Sequence, residues 1–255
     1  SSATGPGVAP GENNWQHDIT IIKPDMRDDP RTALLYVAAD GVGSPDEPID
    51  ARLIDFARKT QTVVAVVNNV PNQPIHFTAP SPLTGQLLPE YRGHDLISYT
   101  FEQFLHTGDP NWLLLFPMTK SITHAMDTVQ NFLAGAHIAG PDRPFDLETF
   151  VLAGAAEPAW AVWLAGASDE RVQALISMGQ GFMSIHHQVD TQDDRFGGLK
   201  PPLEGYENAH ALTGDIDDLW PASFLQEHVT VLERRMRAII EELYYHPGQF
   251  ANYDL

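Results

Sequence analysis

Cysteine is absent from the 255 residues, which removes disulfides, thiolate nucleophiles and Cys-ligated metals together. It leaves the redox compartment open. Cations are scarce: 15 Lys and Arg stand against 34 Asp and Glu, for a formal net charge of −19. Binding to a phosphate backbone draws on clustered Lys and Arg, so nucleic acid is not an expected partner. Long apolar runs are missing too. The longest, such as Val63–Val67, are strand-sized and fall well short of the roughly 20 residues that cross a bilayer, so no membrane span is expected. The opening Ser1-Ser2-Ala3-Thr4-Gly5-Pro6-Gly7 has neither the basic nor the apolar region of a signal peptide. Either one has been removed or there was none.

What remains is rich enough in apolar side chains, at 43%, to fill the core of one large domain. Residues 1–14, rich in Gly, Pro and Asn, read as a flexible leader, 15–215 as the domain, and 216–255 as a C-terminal helical segment packed on it. Five short runs are strand candidates: Ile19–Ile22, Ala33–Ala39, Thr62–Val67, Thr149–Ala153 and Gln173–Met178. Three of them are apolar on both faces, as parallel strands covered on two sides must be. Helical periodicity falls between them. Asp95 is the expected N-cap of 96–106; a second helix spans 118–134 with Met118, Ile122, Ala125, Met126, Val129, Phe132 and Leu133 inward; a third, 158–167, opens on Pro158. Strands alternating with helices imply βαβ units, hence an α/β fold of three αβα layers around a mainly parallel sheet.

In such sheets the ligand crevice lies beyond the carboxyl ends of the strands. The residues that follow the strands are Asp40-Gly41-Val42-Gly43, Asn68-Asn69-Val70-Pro71-Asn72-Gln73-Pro74, Gly154-Ala155-Ala156-Glu157 and Gly179-Gln180-Gly181. Asp40, Gly41, Asn72, Gln73, Gly179 and Gln180 are therefore the candidate binding residues, for a small-molecule or protein ligand of unknown identity. Asn72 and Gln73, stiffened by Pro71 and Pro74, either bind a substrate carbonyl or hydroxyl, or satisfy backbone groups in a rigid turn.

The stretch Phe150–Trp160 runs from an apolar strand straight into a helix through small residues. This is the setting of an α/β-hydrolase nucleophile elbow. Its nucleophile position is Ala156, and a methyl group attacks nothing. No other catalytic residue can be named.

Several stretches carry a family likeness. They are Trp15-Gln16-His17-Asp18-Ile19, Val70-Pro71-Asn72-Gln73-Pro74-Ile75-His76-Phe77, Asp95–Thr100, Phe104–Asp109 with Trp112, and Pro117–Lys120 through Ala125–Gln130. On these the chain resembles the PhoPQ-activated pathogenicity-related proteins and the related autocrine proliferation repressors, over roughly residues 15–210. The resemblance implies an α/β-hydrolase-like fold and an extracytoplasmic location. The family elbow reads G-A-S-K-R-G-W, whereas this chain has Gly154, Ala155, Ala156, Glu157, Pro158, Ala159 and Trp160. The serine, lysine, arginine and second glycine all differ, so a competent Ser-His-Asp triad is not expected. The family's late strands read as missing or replaced at the C-terminal edge, and His210, His228 and His246 fall on no recognisable strand end.

Two further features complete the reading. His186, His187, Asp190, Asp193 and Asp194 include metal-ligating types. Adjacent side chains diverge, however, and a solvated acidic loop is the better account. Neither a metal nor a cofactor is expected. In 224–245, Leu225, Val229, Leu232, Met236, Ile239 and Leu243 step by four and three, an apolar stripe of fewer than three heptads. Packing on the chain's own sheet is favoured over an intermolecular seam, leaving a monomer or a dimer through this helix.

Overall fold

All five expected runs become strands of one sheet in the computed structural model, which describes residues 7, 14–24, 31–39, 48–82, 85–135 and 146–178. The strands are β1 (Ile19–Ile22), β2 (Thr32–Val37), β3 (Val63–Val67), β4 (Thr149–Ala155) and β5 (Val172–Met178). Their order across the sheet is β1-β3-β2-β4-β5. β1 pairs antiparallel with β3, and the other three pairings are parallel. The fold class is thus α/β around a mostly parallel mixed sheet. β3 is buried along its whole length, which is why its sequence shows no alternation.

The helices are α1 (Ala51–Thr60), α2 (Gly93–Thr107), α3 (Leu115–Ala134) and α4 (Glu157–Ser168). Side-chain alternation along the strands sorts them onto two faces. Ala33, Leu35, Val37, Val63, Ala65, Val67, Phe150 and Leu152 form one large core with residues of α2, α3 and α4. Leu34, Val64 and Ala153 form a small cluster with Ala57 of α1 on the other face. Each fully buried large apolar side chain contributes about 1.5–3 kcal/mol, so the α2–α3–α4 face carries most of the stabilisation.

Three helical details differ from expectation. α1 was not anticipated, although Leu53, Ile54 and Ala57 recur at helical spacing; Ala57 is its only buried residue. Its ends are nonetheless written locally: the Asp50 carboxylate accepts from Arg52 N at 2.8 Å, and Gln61 closes the helix in the left-handed region. α2 begins at Gly93 rather than after Asp95; Arg92 holds the N-cap position, and Asp95 sits in the first turn, where a carboxylate favours the helix dipole. Phe132, expected inward on α3, is 46% exposed, while the rest of that apolar set is buried. Arg171 pins the start of β5 to α3: its guanidinium donates to Asp127 at 2.7 Å, Gln130 at 2.6 Å and Asp169 at 2.6 Å.

Candidate functional site

β4 lies inside the sheet, between β2 and β5, and passes into α4 through a single residue. That residue, Ala156, has φ 56° and ψ −130°, a region that side chains with a Cβ avoid. Its N–H donates to Met178 O of β5 at 3.0 Å, and its carbonyl accepts from Ala159 N at 3.0 Å. The methyl group itself is exposed. The bend is tight because Gly154 allows it: a Cβ there would lie 3.0 Å from Val162 Cγ2 and 3.1 Å from the Pro158 carbonyl carbon. The small residues anticipated from sequence are thus required by the close approach of α4 to β4.

Two other turns converge on this rim. Gln73 spans them: its Nε2 donates to Ala39 O after β2 at 3.3 Å, and its Oε1 accepts from Gly93 N at the start of α2 at 2.7 Å. Its own N–H donates to Asn69 Oδ1 at 3.2 Å, with Asn69 at φ 60°, a conformation asparagine tolerates. Asn72 Oδ1 accepts from Gln16 N at 2.7 Å. Both X-Pro bonds of this loop, Val70-Pro71 and Gln73-Pro74, are cis. The two amides are therefore engaged with backbone groups, binding the segment before β1, the end of β2 and the start of α2 into one rim. The buried Glu157 faces the same place, since a Cβ on Gly93 would lie 3.4 Å from its Oε1. Asp40, Gly41, Gly179 and Gln180 lie outside the described residues, as do His186–Asp194, His210, His228, His246 and the 224–245 stripe.

A second polar cluster was not singled out as a site from the sequence. His17 Nε2 is 2.9 Å from Ser121 Oγ on α3, and its Nδ1 is 3.0 Å from Asn68 O at the end of β3. A carbonyl only accepts, so Nδ1 carries a proton, and Nε2 of the neutral ring competes with the Pro117 carbonyl for the one Ser121 hydroxyl hydrogen. Burial depresses the imidazole's pKa below its ordinary 6.5 against the opposing backbone hydrogen bonds. Ser121 is buried and also within 2.9 Å of Pro117 O. The signal in the sequence was a serine on the apolar stripe of α3, between Met118 and Ile122.

Beside this pair, the Asn68 side chain is 1% exposed, and neither its Oδ1 nor its Nδ2 has a hydrogen-bond partner among the described residues. The Ser177 hydroxyl, at the carboxyl end of β5, is buried and unpartnered in the same sense. Groups in this state normally meet a water or a ligand. Further along α2, the buried Glu102 accepts from Ser81 and, at 3.5 Å, from Ser98; burial raises its pKa above the usual 4.5 despite these bonds. No group of His, Asp and Glu among the described residues is arranged to hold a metal ion. None of the described helices is long and apolar enough to cross a membrane.

A mostly parallel mixed sheet flanked by helices, with a strained strand-to-helix bend near its middle, defines an α/β protein. The sequence profile of the PhoPQ-activated pathogenicity-related proteins matches residues 8–218. The chain belongs to that family. It is also similar to "Autocrine proliferation repressor protein A" of Dictyostelium discoideum, 32% identical over 198 residues. These residues are 75% of this chain and 36% of the relative, so the chain spans about a third of that protein's length. No solved structure matches the chain.

Proposed function

We propose that this protein uses an α/β-hydrolase-type scaffold to bind a ligand at the carboxyl rim of its sheet, without nucleophilic catalysis at the elbow. The observation that carries the reading is Ala156, with φ 56° and an exposed methyl between an inner strand and its helix. A hydrolase elbow needs that backbone so that its nucleophile stands clear of the sheet. Here the backbone is present and the nucleophile is not. Adjacent placement supports the same reading: β2 pairs with β4 up to Val37 and Gly154, so the chain leaving β2 into Asp40-Gly41 starts one strand away from the bend, where hydrolases carry an oxyanion donor. The unpartnered Asn68 amide supplies hydrogen-bonding capacity that a bound ligand or water would use. An extracytoplasmic location and a signalling role belong to this proposal through the family and the relative's name; the ligand's class is left open.

A second reading has one specific observation in its favour. Ser121, His17 and the Asn68 carbonyl form a hydroxyl–imidazole–acceptor chain of the kind that activates a serine. Burial of Ser121 stands against it, because a nucleophile has to meet its substrate. One experiment separates the two. A fluorophosphonate probe is expected to leave the natural chain unlabelled, and labelling of Ala156→Ser at that position would show that the groups needed to activate a serine survive at the rim. Saturable labelling of the natural chain at a defined serine would overturn the first reading, and labelling at Ser121 would establish the second.

A further inference from the structure

The two faces of the sheet are unequally covered, and the difference lies over β4 and β5. Register places Val151 beside Ala174, Ala153 beside Ile176, and Ala155 beside Met178. Alternation puts all six on the α1 face, as the membership of Val151 and Ala153 in the small cluster requires. The opposite face of these strands is packed: Phe150, Leu152 and Leu175 join the main core, and Gly166 lets α4 approach so closely that a Cβ there would fall 2.6 Å from Leu175 Cδ2. On the α1 face, α1 supplies one buried residue, Ala57. Ala174 is exposed, Ile176 is 45% exposed and Met178 40%. A contiguous apolar strip along the β4–β5 edge of the sheet, with no covering helix among the described residues, is the kind of surface another element covers.

We infer that residues 224–245 of this chain form the helix that covers this strip. Four properties select that segment. Its apolar positions Leu225, Val229, Leu232, Met236, Ile239 and Leu243 share one side of a helical period, while Glu227, Arg234 and Glu241 fall opposite. The strip is wholly uncharged, so the apolar stripe is its complement. From Leu225 to Leu243 such a helix rises ~27 Å, more than the ~13 Å from Ala174 to Met178, so its stripe is long enough to span the strip. Ala153, Ala155 and Ala174 are small enough to admit a helix close to the sheet. The segment also lies downstream of β5 on the same chain, with residues 179–223 between, a connection that holds it near the strip at high effective concentration. A second copy of the chain would have to bind without that advantage.

The lack of cysteine makes the test direct. In the full chain, Ile176→Cys is combined in turn with Val229→Cys, Leu232→Cys or Met236→Cys, and with Glu227→Cys, Arg234→Cys or Glu241→Cys as opposite-side controls. After mild oxidation, the expected result is an intramolecular cross-link, seen as a faster-migrating monomer on a non-reducing gel, for at least one stripe position. Its yield should exceed that of every control at least tenfold. Covalent dimers in place of the fast monomer would assign the strip to a second copy and overturn the inference. Equal yields on both sides of the helix, or no cross-link at any stripe position, would overturn it as well. Ile176 lies outside the main core, so the cysteine there does not depend on that core tolerating a change. The result is independent of whether the elbow reading holds.

Discussion

Replacing Ala156 with glycine tests whether the bend at the end of β4 is truly strained. At φ 56° and ψ −130° a residue with a Cβ carries about 1–3 kcal/mol of backbone strain, which glycine does not. Against that gain, glycine loses about 0.5–1 kcal/mol more conformational entropy on folding than alanine does. The Ala156 methyl is exposed, so its removal forfeits little apolar burial. The balance favours Ala156→Gly by about 1 kcal/mol, or a rise of about 2–4 °C in melting temperature for a chain of this size. Equilibrium urea unfolding of the full chain measures it. Ala155→Gly, one residue earlier and within the ladder of β4, is the matched control and should lose about 0.5–1 kcal/mol. If Ala156→Gly destabilises by as much as the control does, the bend is not strained and the elbow comparison fails with it.

Gly154→Ala should destabilise the chain by about 1–3 kcal/mol through overpacking, because two of the three closest atoms to its Cβ are backbone; an unchanged unfolding midpoint would show that α4 can retreat. His17 is held neutral, with its folded-state pKa below the unfolded 6.5. The unfolded chain therefore binds the proton first, and stability falls as pH drops below about 6.5. His17→Gln should flatten that part of the melting-temperature profile between pH 7 and 5, and an unaltered slope would refute the assignment. Glu102 works with the opposite sign: its folded-state pKa is raised, so its charge costs stability at neutral pH and protonation relieves the cost. Glu102→Gln should raise the melting temperature at pH 7, with the difference closing as pH approaches 4.5; a destabilised variant at pH 7 would mean that the Ser81 and Ser98 bonds outweigh burial.

The sheet was legible because its strands are short apolar runs with no competing period. Ile19–Ile22 matches β1 residue for residue, and Val63–Val67 is visible as a strand in the absence of any polar position. α1 escaped although Leu53, Ile54 and Ala57 recur at helical spacing, for the helix is only ten residues long and buries one alanine. Phe132 misled for a related reason: helical spacing places a residue on a face but does not say how far the neighbouring layer extends. At the rim, residue types were legible and their partners were not. Gln73 reads as an available amide until Ala39 O and Gly93 N are seen to claim both its ends. Such contacts join positions 20 and 34 residues apart, and no local pattern encodes them. The His17–Ser121 pair, separated by 104 residues, was out of reach for the same reason.

The strained backbone at Ala156 and the chemical inertness of its methyl group bear on each other. A glycine would adopt this backbone without strain, and an ordinary helical start would avoid it altogether. Alanine does neither, so local energetics alone do not account for the bend. It is imposed from outside: Ala156 N–H is tied to β5 through Met178 O, and Gly154 sets α4 hard against β4. The surrounding fold thus over-determines the conformation and would impose it on whatever residue stood there. That is why Ala156→Ser is an informative substitution: the serine would inherit an exposed, pre-set position without further engineering. Labelling of that variant would then report on the neighbouring groups of the rim and not on whether the bend had formed.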